Sequence, residues 1–166
     1  VVLAVGRWVP KKGLDTLAAA AILLGERARV RMISDAPALP GVDVRGLRPR
    51  AEVAAELATA TIFALPCRRA PDGDQDGIPV ALLEAMAAGL PVVTTAVSGI
   101  PEIVDKAVGW IVPPDNPVAL AAALREALDD PAEAARRGAA GRARLGERGF
   151  LAGDTHGAMA RLLGGG

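Results

Sequence analysis

The sequence predicts an α/β domain, a mainly parallel sheet covered on both faces by helices. Short continuous apolar runs, of the kind a strand buried on both faces uses, alternate with segments whose apolar residues return at helical spacing. The core material is aliphatic: 51% of the 166 residues are apolar but only 2% aromatic, so Ala, Val, Leu and Ile must do the packing. A chain of this length can bury one sizeable core, and no internal boundary divides it, so residues 1–166 read as one domain.

Val1 to Val5 is the first apolar run, ended by Gly6. Leu14, Leu17, Ala18, Ala21 and Leu24 then repeat at helical spacing up to Gly25, giving strand, loop and helix. The loop, Gly6-Arg7-Trp8-Val9-Pro10-Lys11-Lys12-Gly13, fits neither a Walker A loop nor GxGxxG. It places two lysines just before a helix N-terminus, where cations are disfavoured unless an anion is near, although a solvated basic turn would read the same way. Val30 to Ile33 and Val42 to Val44 are the next strands. Residues 34–41 between them are shorter than the dozen or more residues of an ordinary parallel crossover, which leaves the local topology open. Arg50 to Ala60 has a helical pattern, with Val53, Leu57 and Ala60 on one side. Thr61 to Leu65 is a strand that Pro66 stops.

The most informative stretch is Asp72 to Val93. An acidic, glycine-broken loop leads into an apolar segment, Ile78 to Val93, interrupted by one charge, Glu84. Pro79 suits the first position of a helix, and Gly89 with Pro91 suits its end, so a helix is predicted from Pro79 to Ala88. Apolar residues fall on nearly every face of it. Glu84 should therefore be largely buried and partnered. The N-terminus at Gly77 to Val80 offers unpaired N–H groups and a positive dipole end, which suit an anion.

Pro91 to Thr95 and Gly109 to Val112 read as the last strands. Asn116 and Pro117 make an N-cap and first position for a helix carrying Leu120, Leu124 and Leu128, closed by Asp130-Pro131. A charged, Ala-rich helix to Leu145 and a weak one over 153–163 complete the chain.

Composition narrows the function. Lysine plus arginine equals aspartate plus glutamate at 19 each, which argues against nucleic acid as the main partner. The single cysteine, Cys67, rules out an internal disulfide framework and has no nearby His to activate it. Arg136, Arg137, Arg142, Arg144 and Arg148 read as a solvated helix face, with an anionic membrane contact as the other reading. The lone His156 has no assigned role. The start at Val1, inside a strand and without an initiator Met, reads as a piece of a longer chain. The acidic segment has a competing reading as a calcium loop, since Asp72-x-Asp74-x-Asp76-Gly77 matches the first half of one. Its twelfth position is Leu83, and Glu84 falls one residue late, a turn of about 100° on a helix.

Asp76 and Glu84, with Ala85-Met86-Ala87-Ala88-Gly89-Leu90-Pro91-Val92-Val93 and then Ser98-Gly99-Ile100-Pro101-Glu102, resemble the Glu-(seven residues)-Glu signature of retaining glycosyltransferases of the family 4 type. The first loop is similar to that family's Gly-Arg…Lys-Gly loop. The resemblance implies a Rossmann-like three-layer sandwich, the donor-binding C-terminal half of a GT-B enzyme whose N-terminal acceptor half is absent. It implies that Arg7 and Lys12 hold the donor diphosphate, that Asp76 contacts the donor sugar, and that Glu84 grips the ribose. Gly6, Arg48, Gly77, Ile78, Pro79 and Val80 complete the implied donor contacts, with the base pocket built partly from backbone at Leu47 to Arg50. It also implies retention of anomeric configuration, a UDP- or GDP-sugar as substrate, no metal or cofactor, and a glycan or lipid-linked acceptor. A cytoplasmic place, with peripheral contact at the cytosolic face of a membrane, goes with it. Asp76 is one methylene shorter than the signature Glu, and the family's turn and helix after the second strand are missing. A nucleotide-binding module without transferase activity, or a structural α/β domain with Glu84 satisfied internally, remain the alternatives.

Overall fold

The computed structural model describes residues 1–69 and 77–149. Six strands form one parallel sheet in the order β3-β2-β1-β4-β5-β6, with β1 at Val2–Val5, β2 at Val30–Ile33, β3 at Val42–Val44, β4 at Ile62–Leu65, β5 at Val92–Thr94 and β6 at Gly109–Ile111. From β1 the chain moves outward to β2 and β3, then returns to lay β4 on the other side of β1. The strand order therefore reverses between β1 and β4. Right-handed crossovers in opposite directions put their helices on opposite faces. Accordingly α1 (Leu14–Leu24) packs against α4 (Pro117–Asp129), while α3 (Val80–Ala87) packs against α2 (Arg50–Thr59) and α5 (Pro131–Glu147). The expected three-layer α/β architecture is what forms.

The aliphatic composition is spent where the layers meet. All of β4 is buried, with Phe63 at its centre, and Leu82, Leu83, Ala85 and Met86 of α3 are inaccessible to solvent. Each buried Leu or Met stabilises the fold by about 2 kcal/mol, so α3 is held by its packing rather than by intrinsic helix propensity. At the α5 contact, Gly138 lets the helix lie against the turn after α3, where an added Cβ would sit 2.2 Å from the Gly89 carbonyl oxygen.

Element boundaries fall within a residue or two of expectation, with informative departures. Pro79 is the N-cap of α3 rather than its first residue, with extended backbone. Asp130 does more than close α4, because its carboxylate accepts the Glu133 N–H and caps α5, as Asn116 caps α4 through Ala119 N–H. Ile100–Glu102 forms a 3₁₀ turn that the sequence reading did not include. The β2–β3 connection is resolved: β3 is parallel to β2, with Val30 opposite Val42. Residues 34–41 make the crossover without a helix because they need only run back along a four-residue strand, about 13 Å at ~3.3 Å per residue. A hollow of about 510 Å³ beside Ser34, Leu39 and Val42 marks that helix-less side.

The arginine run of α5 is not one solvated face. Arg137 lies 4.0 Å from the Trp110 ring centroid and donates to the Gly109 carbonyl, and Arg144 pairs with Asp105 at 3.0 Å. Arg136, Arg142 and Arg148 point outward. The 153–163 helix and His156 lie outside the described residues.

Candidate functional site

Because β1 and β4 are adjacent and parallel, the loops that leave them emerge from the same edge of the sheet, at the point where the strand order reverses. Crevices for ligands form at such points in open α/β sheets. The loop after β1 runs from Gly6 through a 3₁₀ turn at Pro10–Lys12 to Gly13, where α1 begins. Gly13 has φ 66°, and a Cβ there would lie 1.9 Å from the Pro66 carbonyl oxygen, so only glycine allows the two loops to meet. Gly6 lies under the aliphatic stem of Lys12, 3.7 Å from where its Cβ would stand. Arg7 is exposed and pairs with no carboxylate among the described residues. Asp35, just beyond β2, accepts the Trp8 N–H at 2.7 Å and pins the turn that carries Arg7.

The second expected group is the start of α3. No side chain among the described residues caps it, and helix geometry leaves the N–H groups of Val80 and Ala81 without intrahelical acceptors. Gly77 and Ile78, which lead into it, are backed by the turn after β5: Gly99 N–H donates to Gly77 O at 3.2 Å, and a Cβ on Gly99 would meet Ile78 at 2.9 Å. Ser98 takes a left-handed conformation, φ 53°, to make that turn. The Ser98-Gly99 step of the signature thus supports the helix entrance, a role the sequence reading did not assign. Thr94 and Thr95, both buried, donate to the Leu65 and Cys67 carbonyls and tie β5 to the loop after β4. Cys67 is buried in that loop as an unoxidised thiol.

Glu84 is partnered, as expected, but not fully enclosed: its side chain is 25% exposed and its carboxylate pairs with Arg50 Nη2 at 3.3 Å. The start of α2 lies beside α3 and leaves this side open, so the partner comes from a neighbouring helix and not from the core. Arg48 pairs loosely with Glu52, at 4.0 Å, and lines a hollow of about 330 Å³ with Ile33, Arg45 and Ala55. The structure thus joins the Gly6–Gly13 loop to the loop after β4 and joins Glu84 to Arg50. Asp76 lies outside the described residues, as do the acidic positions 72 and 74 of the calcium reading. No cluster of metal-ligating side chains occurs among the described residues.

One residue escaped the sequence reading. Arg68 lies between the two loops, and its side chain is only 13% exposed. It donates from Nη1 to Pro10 O (2.8 Å), from Nη2 to Asp15 (2.5 Å) and Thr16 (3.1 Å), and from Nε to Asp115 (2.5 Å). Burial pulls the guanidinium toward neutrality, but the hydrogen bonds to Asp15 and Asp115 outweigh it and hold the pKa above its ordinary value. With Trp8, Val9, Pro10, Leu14 and Asp15, it lines a cavity of about 210 Å³. The only sequence signal was its position, two residues after the proline that stops β4.

Residues 1–130 match the family described as Glycosyl transferases group 1. The chain is 39% identical over 140 residues to the amylovoran biosynthesis glycosyltransferase AmsK of Erwinia amylovora, covering 74% of this chain and 34% of that protein. It is 36% identical over 161 residues to the GDP-mannose-dependent alpha-(1-6)-phosphatidylinositol monomannoside mannosyltransferase of Mycolicibacterium smegmatis, covering 86% of this chain and 42% of that one. It therefore spans well under half the length of either relative. The crystal structure of Anabaena Alr3699/HepE in complex with UDP and glucose superposes with a TM-score of 0.78 at 20% identity, over 97% of this chain and 47% of that one. At that identity the likeness is one of fold. Among the described residues no helix is long and apolar enough to cross a membrane.

Proposed function

The chain belongs to the group 1 glycosyl transferases, and from that premise we propose that it is the donor-binding half of a retaining, family 4 type GT-B enzyme. It takes a nucleotide-diphospho-sugar and, joined to an N-terminal half that holds a glycan or lipid-linked acceptor, transfers the sugar. The observation that carries this reading is the meeting of the Arg7–Lys12 loop with the loop after β4 at the reversal point of the sheet. The first of these loops carries Arg7 and Lys12, and the chain after β4 leads to a helix start that no described side chain caps. One guanidinium, one ammonium and a helix N-terminus suit a diphosphate.

Transfer breaks the bond between the anomeric carbon and the diphosphate oxygen, and the electron pair leaves with the diphosphate. Arg7, Lys12 and the N–H groups of Val80 and Ala81 stabilise the charge that develops there, in a site already built before reaction. Glu84 accepts hydrogen bonds from the ribose hydroxyls, exchanging its Arg50 contact for them or sharing it. Asp76 contacts the donor sugar and, together with the positioned diphosphate, orients it. The base rests near Leu47 to Arg50, beside the hollow that Arg48 lines. The acceptor sugar or lipid brings the enzyme to the cytosolic face of a membrane, where the outward arginines of α5 meet anionic headgroups.

Calorimetric titration with UDP, GDP and their common sugar conjugates, with and without chelator, tests the reading. One nucleoside diphosphate should bind regardless of chelator, and Arg7→Ala should abolish it. Asp76→Ala in the full-length enzyme should lower transfer far more than donor binding. If no nucleotide binds, the domain is structural; if nucleotide binds but the enzyme rejoined to its N-terminal half transfers no sugar, it is a binding module.

A further inference from the structure

We propose that Arg68 is a positioning residue for the diphosphate site, acting on the donor through Lys12. This rests on the donor-site reading above and adds a residue that the reading does not contain. Its hydrogen bonds converge on the segment around Lys12. Its side chain reaches Pro10 on one side of Lys12 and Asp15 and Thr16 on the other, while its own N–H donates to Lys11 O at 3.0 Å. The backbone of Lys12 is thus bracketed by a single guanidinium anchored at the end of β4. Asp115, held at a left-handed φ of 57° ahead of α4, takes the remaining edge at Nε and fixes the plane of the group.

A largely buried charge is an expensive fastener if stability alone is at stake, because well-packed apolar side chains do as well. What apolar packing does not supply is direction. A planar fork that donates to several acceptors at once fixes a loop in orientation as well as in distance. Both compensating carboxylates, Asp15 and Asp115, are more than half exposed, so their fold does not depend on being buried with it. Lysine carries the charge but lacks the fork, so Arg68→Lys should keep the fold while loosening Lys12.

The test is titration of the 166-residue chain with UDP, GDP, UMP and GMP, each variant checked by thermal unfolding. The readout is the preference for diphosphate over monophosphate, which a merely structural residue would leave unchanged. Arg68→Lys should reduce that preference roughly tenfold, the loss of about one charge-assisted hydrogen bond. Combined with Lys12→Ala it should lose no more than Lys12→Ala alone, since the two act on one contact. Asp15→Asn with Asp115→Asn, which leaves Arg68 in place but unanchored, should move the preference the same way and serves if the Arg68 variant does not fold. A wild-type preference in both variants, or equal weakening of mono- and diphosphates, overturns the proposal while leaving the donor site standing. If Lys12→Ala and Arg7→Ala themselves leave diphosphate binding unchanged, the donor reading falls and the role of Arg68 with it.

Discussion

The two glycines that bound the basic loop should respond very unequally to the same added methyl group. Gly13→Ala meets two costs. Holding alanine at the φ of 66° costs about 1–2 kcal/mol. The new Cβ would also lie 1.9 Å from Pro66 O and 2.8 Å from Pro66 C, and because backbone faces backbone the loops must separate by about 1 Å before the contact becomes tolerable. That movement strains the Lys11 O contact with Arg68 N–H and the Arg68 bonds beyond it, worth about 1 kcal/mol for each hydrogen bond lost. The sum is about 3–5 kcal/mol, a large part of the ~5–15 kcal/mol that holds a domain together. Gly6→Ala meets neither cost, since its φ is ordinary and its nearest neighbours are Lys12 methylenes at 3.7 Å. It should lie within ~1 kcal/mol of wild type, the scale of a tolerated Gly→Ala change. Urea unfolding followed by far-UV circular dichroism, with Trp8 and Trp110 fluorescence as a second probe, measures both. A Gly13→Ala protein within 1 kcal/mol of wild type, or equal losses at the two sites, would refute the claim that loop contact and not loop access demands glycine here.

In α5 the same logic separates neighbours: Gly138→Ala should destabilise, because its Cβ meets Gly89 O at 2.2 Å, whereas Gly141→Ala finds ordinary contacts from 3.5 Å outward and should stabilise by up to ~1 kcal/mol through helix propensity. Urea midpoints that shift in the same direction would sink this. Glu84→Gln should change stability by less than ~1 kcal/mol, since its partner Arg50 is 60% exposed, yet weaken nucleotide binding several-fold; unchanged affinity removes the ribose assignment. Arg136 and, after it, Arg137 hold the Glu133 carboxyl down at about 2 from an ordinary 4.5. A depressed carboxyl contributes stability above its unfolded pKa and loses it as pH falls, so the gap between wild type and Glu133→Gln should be open at pH 6 and close between pH 4.5 and 2. A gap that stays constant with pH contradicts the ion-pair geometry.

The sheet and its helices were legible because their signals are local: apolar runs, proline and glycine punctuation, and Asn116 before Pro117 all act within a turn or two. The β2–β3 step was less legible because the usual crossover length assumes a helix, and strands this short do not need one. The open side of Glu84 was illegible for a related reason. Its helix is apolar all round, but burial depends on what lies against each face, and the start of α2 leaves Glu84 a partly open side with an arginine on it. The arginines of α5 divide by the same rule, Arg137 and Arg144 turning in because Trp110 and Asp105 await them. Arg68 was invisible because its carboxylate partners stand 53 and 47 positions away in sequence. No short-range pattern marks an arginine whose acceptors are brought to it only when β1 pairs with β4 and β6 is added beyond β5.

The charges around the crevice divide by what they already hold. Arg68 is held between two carboxylates, Asp15 and Asp115, and Arg50 pairs with Glu84, whereas Arg7 is exposed and pairs with no carboxylate among the described residues. A chain with equal numbers of acidic and basic residues can still leave a cation available to an anion where its carboxylates are taken up by structural arginines. Here the division is directional: the guanidinium held by Asp15 and Asp115 fixes the loop, and the exposed Arg7 projects from it. Asp35 fixes the shape of the same loop by accepting a backbone N–H of the Arg7 turn at 2.7 Å. An anion entering the crevice therefore meets a loop whose shape is set before binding, and pays little to order it.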